Sequence, residues 1–309
     1  MKKIDKNYFP GWVRKSISFT IDDGNLEMDK KFIDIVKPYG IKGTFNISNF
    51  YFDKLSPAGY RAFYEGYEIA NHCKYHPYVF DDGVEYVIKD EPRPEHAESE
   101  NTVYASAGVE GLFEKEYVRG WRNITDVKNY IRFTRECTAS IKEVFGAQKI
   151  GFVWPFGRQN SAELFELLKK EPFYGIRQGG ETEDKTNFAI PADRYTWSFN
   201  AIHSSLLSVA EKFKNYPDDG ALKTFIFGAH SIDFENAEKW CDLEKFARDF
   251  GNRPEKYWYA TNVEIFDYED AVKALTVTDE KIENPTDIAV YVTVDGEKTV
   301  IPPHTEILF

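Results

Sequence analysis

The chain has 309 residues, enough for one large core or for a main domain with a small appendage. Its formal charge of -12 argues against nucleic acid or an anionic membrane as partner, and 42% apolar with 16% aromatic residues describes a globular protein able to hold a ring-shaped ligand. Three cysteines (Cys73, Cys137, Cys241) are too few for a disulfide framework, and no apolar signal region follows Met1-Lys2-Lys3, so a cytoplasmic setting is expected. No apolar run approaches the ~18 residues of a membrane-spanning helix.

Along the chain, Ser16-Ile17-Ser18-Phe19-Thr20-Ile21 alternates and is β-rich, then stops at Asp22-Asp23-Gly24, which predicts a strand ending in a loop. Met28, Phe32, Ile33, Ile35 and Val36 predict an amphipathic helix closed by Pro38 and Gly40. A short strand over 43–47, a helix over 58–64 and a strand over 67–70 follow, the last delivering Asn71-His72-Cys73-Lys74-Tyr75-His76-Pro77. From Asp81 to about Arg122 the rhythm breaks into a polar insertion, a solvated loop or a lid beside the site. Helical spacing resumes from Thr125 to Gly146. Further elements are a strand over 149–153 running into Trp154-Pro155-Phe156-Gly157, a helix over 162–170 and a strand over 174–177. A helix over 206–213 and a strand from Lys223 ending at His230 complete the alternation. Strand-helix-strand order with chemistry at strand ends is the logic of a parallel α/β barrel. Ile288–Val294, Asp295-Gly296 and Thr299–Ile301 spell a β-hairpin, so residues 1–276 are expected as the main domain and 277–309 as a small β appendage.

Two motifs carry the chemistry. Asp-Asp-Gly alone is a common turn and a lone histidine is usually a satisfied structural residue. Adjacent carboxylates followed by two histidines four apart are together what a mononuclear metal hydrolase needs. One carboxylate and two imidazoles hold a divalent ion on three ligands and leave positions open for water and substrate. The other carboxylate stays free as a base. Cys73 is expected as a small buried residue rather than a ligand.

These residues resemble the polysaccharide deacetylase family, carbohydrate esterase family 4, whose shared module is the NodB homology domain. Thr20-Ile21-Asp22-Asp23-Gly24 resembles its first motif, with Ile21 in the usual place of Phe. His72 and His76 with Pro77 resemble the second, Trp154-Pro155-Phe156-Gly157 the third, and Phe227-Gly228-Ala229-His230 the last. The resemblance covers residues from about 16 to 270. It implies a distorted (β/α) barrel of about seven strands that removes acetyl groups from N-acetylated sugars. By this resemblance Asp23, His72 and His76 bind one divalent metal ion, zinc first and Co2+, Mn2+ or Ni2+ as alternatives. Asp22 is then the general base and His230 the general acid, and backbone N–H groups of the Phe156 loop help to hold the oxyanion.

The chain departs from the family pattern at two points. Val153 stands where an arginine usually opens the third motif and pairs with the base; Arg177, ending the following strand, is the candidate replacement. The fourth motif has no clear counterpart, with Asp193 and Trp197 as candidates. Trp154, Pro155, Phe156 and His203 are candidate substrate-binding residues, whereas His96, in the polar insertion, is expected on the surface. The same scaffold also carries allantoinase-like and cyclic-imide-hydrolysing relatives, and a catalytically silent sugar-binding module is a third reading.

Overall fold

A computed structural model describes residues 2–48, 54–79, 102–105, 122–125, 127–147, 149–157 and 162–309. Its frame is a set of parallel strands: β1 (Lys15–Asp23), β2 (Thr44–Ile47), β3 (Glu68–Asn71), β4 (Phe152–Val153), β5 (Ile176–Glu181), β6 (Trp197–Phe199) and β7 (Lys223–His230). In space they run β6-β5-β4-β3-β2-β1-β7, and β8 (Tyr257–Tyr259) pairs with the first half of β1 beside β2. Just past β6, Ala201 bridges Phe227 of β7, with Asn200 N donating to Ile226 O at 2.7 Å and Gly228 N to Ala201 O at 2.8 Å. The two ends of the order therefore meet, and the sheet curls into a distorted seven-stranded barrel.

The alternation of β1 sets the layers. Ile17, Phe19 and Ile21 are wholly buried in the main core together with Phe32, Phe45 and Phe227. Ser16, Ser18 and Thr20 are equally buried on the other face. Fully burying one such aromatic or aliphatic side chain is worth about 1.5–3 kcal/mol, so this register is strongly specified. The helix Leu26–Val36 starts where Asn25 accepts a hydrogen bond from Met28 N, buries Phe32, Ile33 and Val36, and ends ahead of Gly40 at φ 69°.

Val290–Val294 and Glu297–Ile301 form the expected hairpin, and Ile4–Asp5 adds a third antiparallel strand from the N-terminus. A second small sheet joins Thr276–Val277, Lys281–Asn284 and Thr305–Leu308. Phe9, Tyr268, Val290, Val292 and Ile301 bind this region to the helix Asn262–Ala274. Most of the 81–122 insertion, with His96 and the lid question, lies outside the described residues. Its described parts, Thr102–Ala105 and Arg122–Thr125, pair as antiparallel strands where only loop was expected. No helix among the described residues is long and apolar enough to cross a membrane.

Two buried carboxyls tie helices to the barrel. Asp29 accepts from Ser231 Oγ at 2.6 Å and Tyr64 Oη at 2.7 Å, and Glu68 accepts from Thr44 Oγ1 and Val263 N, both at 2.8 Å. Burial outweighs these bonds and pushes each carboxyl up to about 7. A carboxyl raised by folding keeps its proton when the unfolded chain has released it. Its contribution is complete below its ordinary value near 3.8 and is lost as pH rises through 7. Relative to wild type, Asp29→Asn should therefore gain stability steadily from pH 4 to 8. Chemical denaturation across that range checks this, and parallel curves would contradict it.

Candidate active site

The site lies at the C-terminal end of the barrel. β1 ends on Asp22 and Asp23, β7 ends on His230, and the register sets Asp22 beside both Asn46 and His230. Asp23 turns the chain with φ 77°, followed by Gly24 at φ 79°. A Cβ on Gly24 would also crowd the Ile47 side chain at 3.0 Å, which adds to the preference for glycine that the positive φ sets. The loop after β3 is held by its own side chains. Asn71 Oδ1 accepts from Cys73 N at 2.7 Å, while its Nδ2 donates to Thr134 O and Thr138 Oγ1 at 2.8 Å. Ser48 Oγ donates to Cys73 O at 2.6 Å. Cys73 itself is buried against the helix Val127–Phe145, as expected of a packing residue.

This loop folds back so that His72 and His76 converge. His72 Nδ1 donates to Val153 O at 3.0 Å, so in the neutral ring the lone pair lies on Nε2. That atom lies 3.1 Å from His76 Nε2, and each is 3.4 Å from Asp23 Oδ1. Asp23 Oδ1 is buried and has no hydrogen-bond partner. Burial and the neighbouring His72 lower His76 to about 3, so its ring is neutral. For Asp23, burial raises the carboxyl, but His72, His76 and His230 together bring it well below the usual range. A carboxylate and two imidazoles, with ligand atoms within 4.8 Å of one another, fit a borderline divalent cation such as zinc. The orphaned Asp23 oxygen is the atom that such an ion would satisfy.

Arg177, on β5 opposite Val153 in register, sends its guanidinium across the barrel to Asp22. Nη2 contacts Oδ1 and lies 2.6 Å from Oδ2, with the arginine side chain only 1% exposed. Asn46 Nδ2 donates to Asp22 Oδ1 at 2.7 Å. Burial raises the Asp22 carboxyl, and Arg177, His72 and His230 outweigh it to hold the group below its ordinary value. β4 and β5 are neighbours, so Arg177 lies one strand over from Val153 and pairs with Asp22 from there.

At β7, His230 Nδ1 and its backbone N both meet Asp233 Oδ2 at 2.9 Å, closing a capping box on the helix Ser231–Asn236. Nε2 faces the cavity, 3.8 Å from Asp23 Oδ2. Burial would lower this imidazole; Asp233, then Asp23 and Asp22, raise it to about 9. Asp233 has a sequence signal, an acid three residues after a strand-ending His. Its place at the first turn of a helix becomes evident only with the fold. Asn46, in contrast, reads as an ordinary strand residue.

These groups open into a cavity of about 530 Å3 walled by Trp154, Phe156, Gly179, Gly180, Phe199 and Ile202. Phe156 has φ 59° and packs edge-on against His76, centroids 4.5 Å apart. Pro155 and His203 are not among its walls; His203 stands behind Asp233 with Nδ1 at 3.8 Å. Asp193 caps a turn through Tyr195 N at 2.8 Å, and Trp197 packs on Phe266, so neither candidate for the fourth motif reaches the cavity. A larger concavity of about 850 Å3 lies at the opposite barrel end around Arg14, Lys15 and Lys223. Three of its cations are already engaged: Lys15 donates to three carbonyls, Arg14 pairs with Asp5, and Lys223 with Asp219.

A family model described as polysaccharide deacetylase matches residues 13–171, over half of the chain. The chain belongs to the polysaccharide deacetylase family. Similar solved structures include the peptidoglycan deacetylase PdaC from Bacillus subtilis, at 16% identity over 84% of this chain and 95% of that one, TM-score 0.44. A family 4 carbohydrate esterase from Bacillus anthracis shows 14% identity over 84% and 87%, TM-score 0.42. A family 4 acetyl xylan esterase from Clostridium thermocellum, solved with a cobalt ion, shows 17% identity over 82% and 91%, TM-score 0.41. Among curated proteins no sequence match was found.

Removing one partner of a buried ion pair strands the other charge, at about 3–5 kcal/mol. Arg177→Met should cost that much in denaturation, and adding Asp22→Asn should recover part of it. A cost below about 1 kcal/mol, of the size of an exposed pair, would show that Asp22 is not held this way.

Proposed function

We propose that this deacetylase is a metal-dependent carbohydrate N-deacetylase that hydrolyses the acetamido group of an N-acetylated sugar to acetate and a free amine. The observation that carries this reading is the pairing of an orphaned Asp23–His72–His76 triad with two further groups held in opposite protonation states. Asp23, His72 and His76 would hold the ion; bound there, it would lower the pKa of a coordinated water and polarise the acetyl carbonyl. Asp22, ionised beside Arg177, takes the proton of the attacking water. His230, protonated and oriented by Asp233, delivers a proton to the nitrogen as the C–N bond breaks. Phe156 and Phe199 offer apolar walls for a sugar ring and its acetyl methyl. Backbone N–H groups of the Phe156 loop are the proposed partners of the oxyanion.

The purified protein should carry one divalent ion and release acetate from N-acetylglucosamine oligomers. Asp23→Ala or His72→Ala should lose the ion, read by elemental analysis. Asp22→Asn should keep it while turnover falls about 10²–10⁴-fold. Hydrolysis of cyclic amides without acetate release from the oligomers would replace the sugar reading with the allantoinase-like one. Full metal occupancy in a His72→Ala, His76→Ala double variant would remove the site assignment.

The pH profile offers a separate test of His230. An acid catalyst works only while protonated, so the rate falls as pH rises through its pKa. Asp233 is the strongest favourable influence on that proton. Asp233→Asn should move the basic limb to lower pH and leave the acidic limb in place. An unmoved basic limb would assign the ring another role.

A further inference from the structure

Asn46 stands beside Asp22 across the β1–β2 pairing and is completely buried. Its Nδ2 donates to Asp22 Oδ1 and to Thr20 Oγ1, both at 2.7 Å, with Ile21 O farther off at 3.3 Å. The orientation of the amide follows from chemistry, because the reverse placement would set its oxygen against a carboxylate oxygen. Oδ1 of Asn46 has no hydrogen-bond partner. A buried acceptor left unpaired costs free energy, and an apolar side chain would avoid that cost. What the position gains lies at the nitrogen.

Arg177 touches both oxygens of Asp22, and Asn46 adds a second donor to Oδ1 alone. Rotating the carboxylate about Cβ–Cγ would break the Asn46 contact. With Oδ1 held by two donors and Oδ2 by one, Oδ2 keeps the freer lone pair. We propose that Asn46 is a positioning residue for the base: it fixes the carboxylate plane so that Oδ2 is the oxygen presented to the water proton. This rests on the assignment of Asp22 as base.

Asn46→Leu keeps the volume and removes the donor. It should lower kcat on the order of tenfold to a hundredfold, the worth of one hydrogen bond to a charged group, with KM and bound metal unchanged. In an Asp22→Asn background the same substitution should cost nothing further, since the group it positions has gone. If the leucine variant is insoluble, Asn46→Thr carries the kcat-against-KM test, its shorter hydroxyl holding Oδ1 less well. A near wild-type kcat, a loss that falls on KM, or an equal further loss in the Asp22→Asn background overturns the inference. Asp22→Asn retaining wild-type turnover would instead remove the base assignment itself, which keeps the two failures distinguishable.

Discussion

A carboxylate inside a protein barrel needs a countercharge, because taking it from water costs several kcal/mol. Here the partner is Arg177, and much of the local architecture exists to let it arrive. Asp22 lies at the end of β1 and Arg177 near the start of β5, with three strands between them in the sheet order, so the guanidinium must cross the barrel interior. It is carried over the face of Phe199, 5.1 Å from the ring centroid. Phe199 can occupy that place only because position 228 is glycine; a Cβ there would meet its ring at 2.5 Å. The polar inward face of β1 and β2, with Ser18, Thr20, Thr44 and Asn46, belongs to the same constraint. An interior of Val, Ile and Leu would leave such an ion pair without further hydrogen bonds.

Backbone strain concentrates where side chains must converge. Asp23, Cys73, Tyr75, His76 and Phe156 all have positive φ, five of the ten non-glycine residues that do so among those described. Conformations of this kind cost about 1–3 kcal/mol each and persist only when their surroundings fix them. The fixing groups can be named: the Asn71 side chain under the His72 loop, Ser48 on Cys73 O, and the edge contact of Phe156 on His76. Without positive φ at 73, 75 and 76, the His76 ring would not fold back to within 3.1 Å of His72.

The strands that carry the chemistry were legible because they are strongly patterned. β1 alternates, β7 is nearly all apolar, and both end on polar residues that break the run. Trp197–Phe199, Tyr257–Tyr259 and the helices Trp240–Phe250 and Asn262–Ala274 were not foreseen. The two strands are three residues long, too short for a period to show. The helix Asn262–Ala274 mixes buried Ile265, Phe266, Tyr268, Ala271 and Val272 around its circumference, because it packs on both the barrel and the terminal sheets. Such a helix has no single apolar stripe. Arg177 could be named from chain order as a candidate partner of Asp22, but its reach to that carboxylate is a property of register. Asp233 and Asn46 act through contacts made by the folding of other elements, so spacing alone does not single them out.

Three histidines at one site show how environment divides a common side chain into different tools. His72 donates a hydrogen bond from Nδ1–H to a backbone carbonyl, which orients the ring and turns Nε2 toward Asp23. His76, pressed against His72 and buried, is held neutral, so one of its ring nitrogens keeps a lone pair. His230 has the same unperturbed chemistry, yet it sits at a helix start with Asp233 on its far nitrogen and two further carboxylates nearby, so it keeps its proton. Exchanging these surroundings would exchange the roles. A protonated His76 would repel a cation, and a neutral His230 would have nothing to give a departing amine. The separation of the two states within a few ångströms is what the proposed function requires of this face of the barrel: a cation site and a held proton at the same pH.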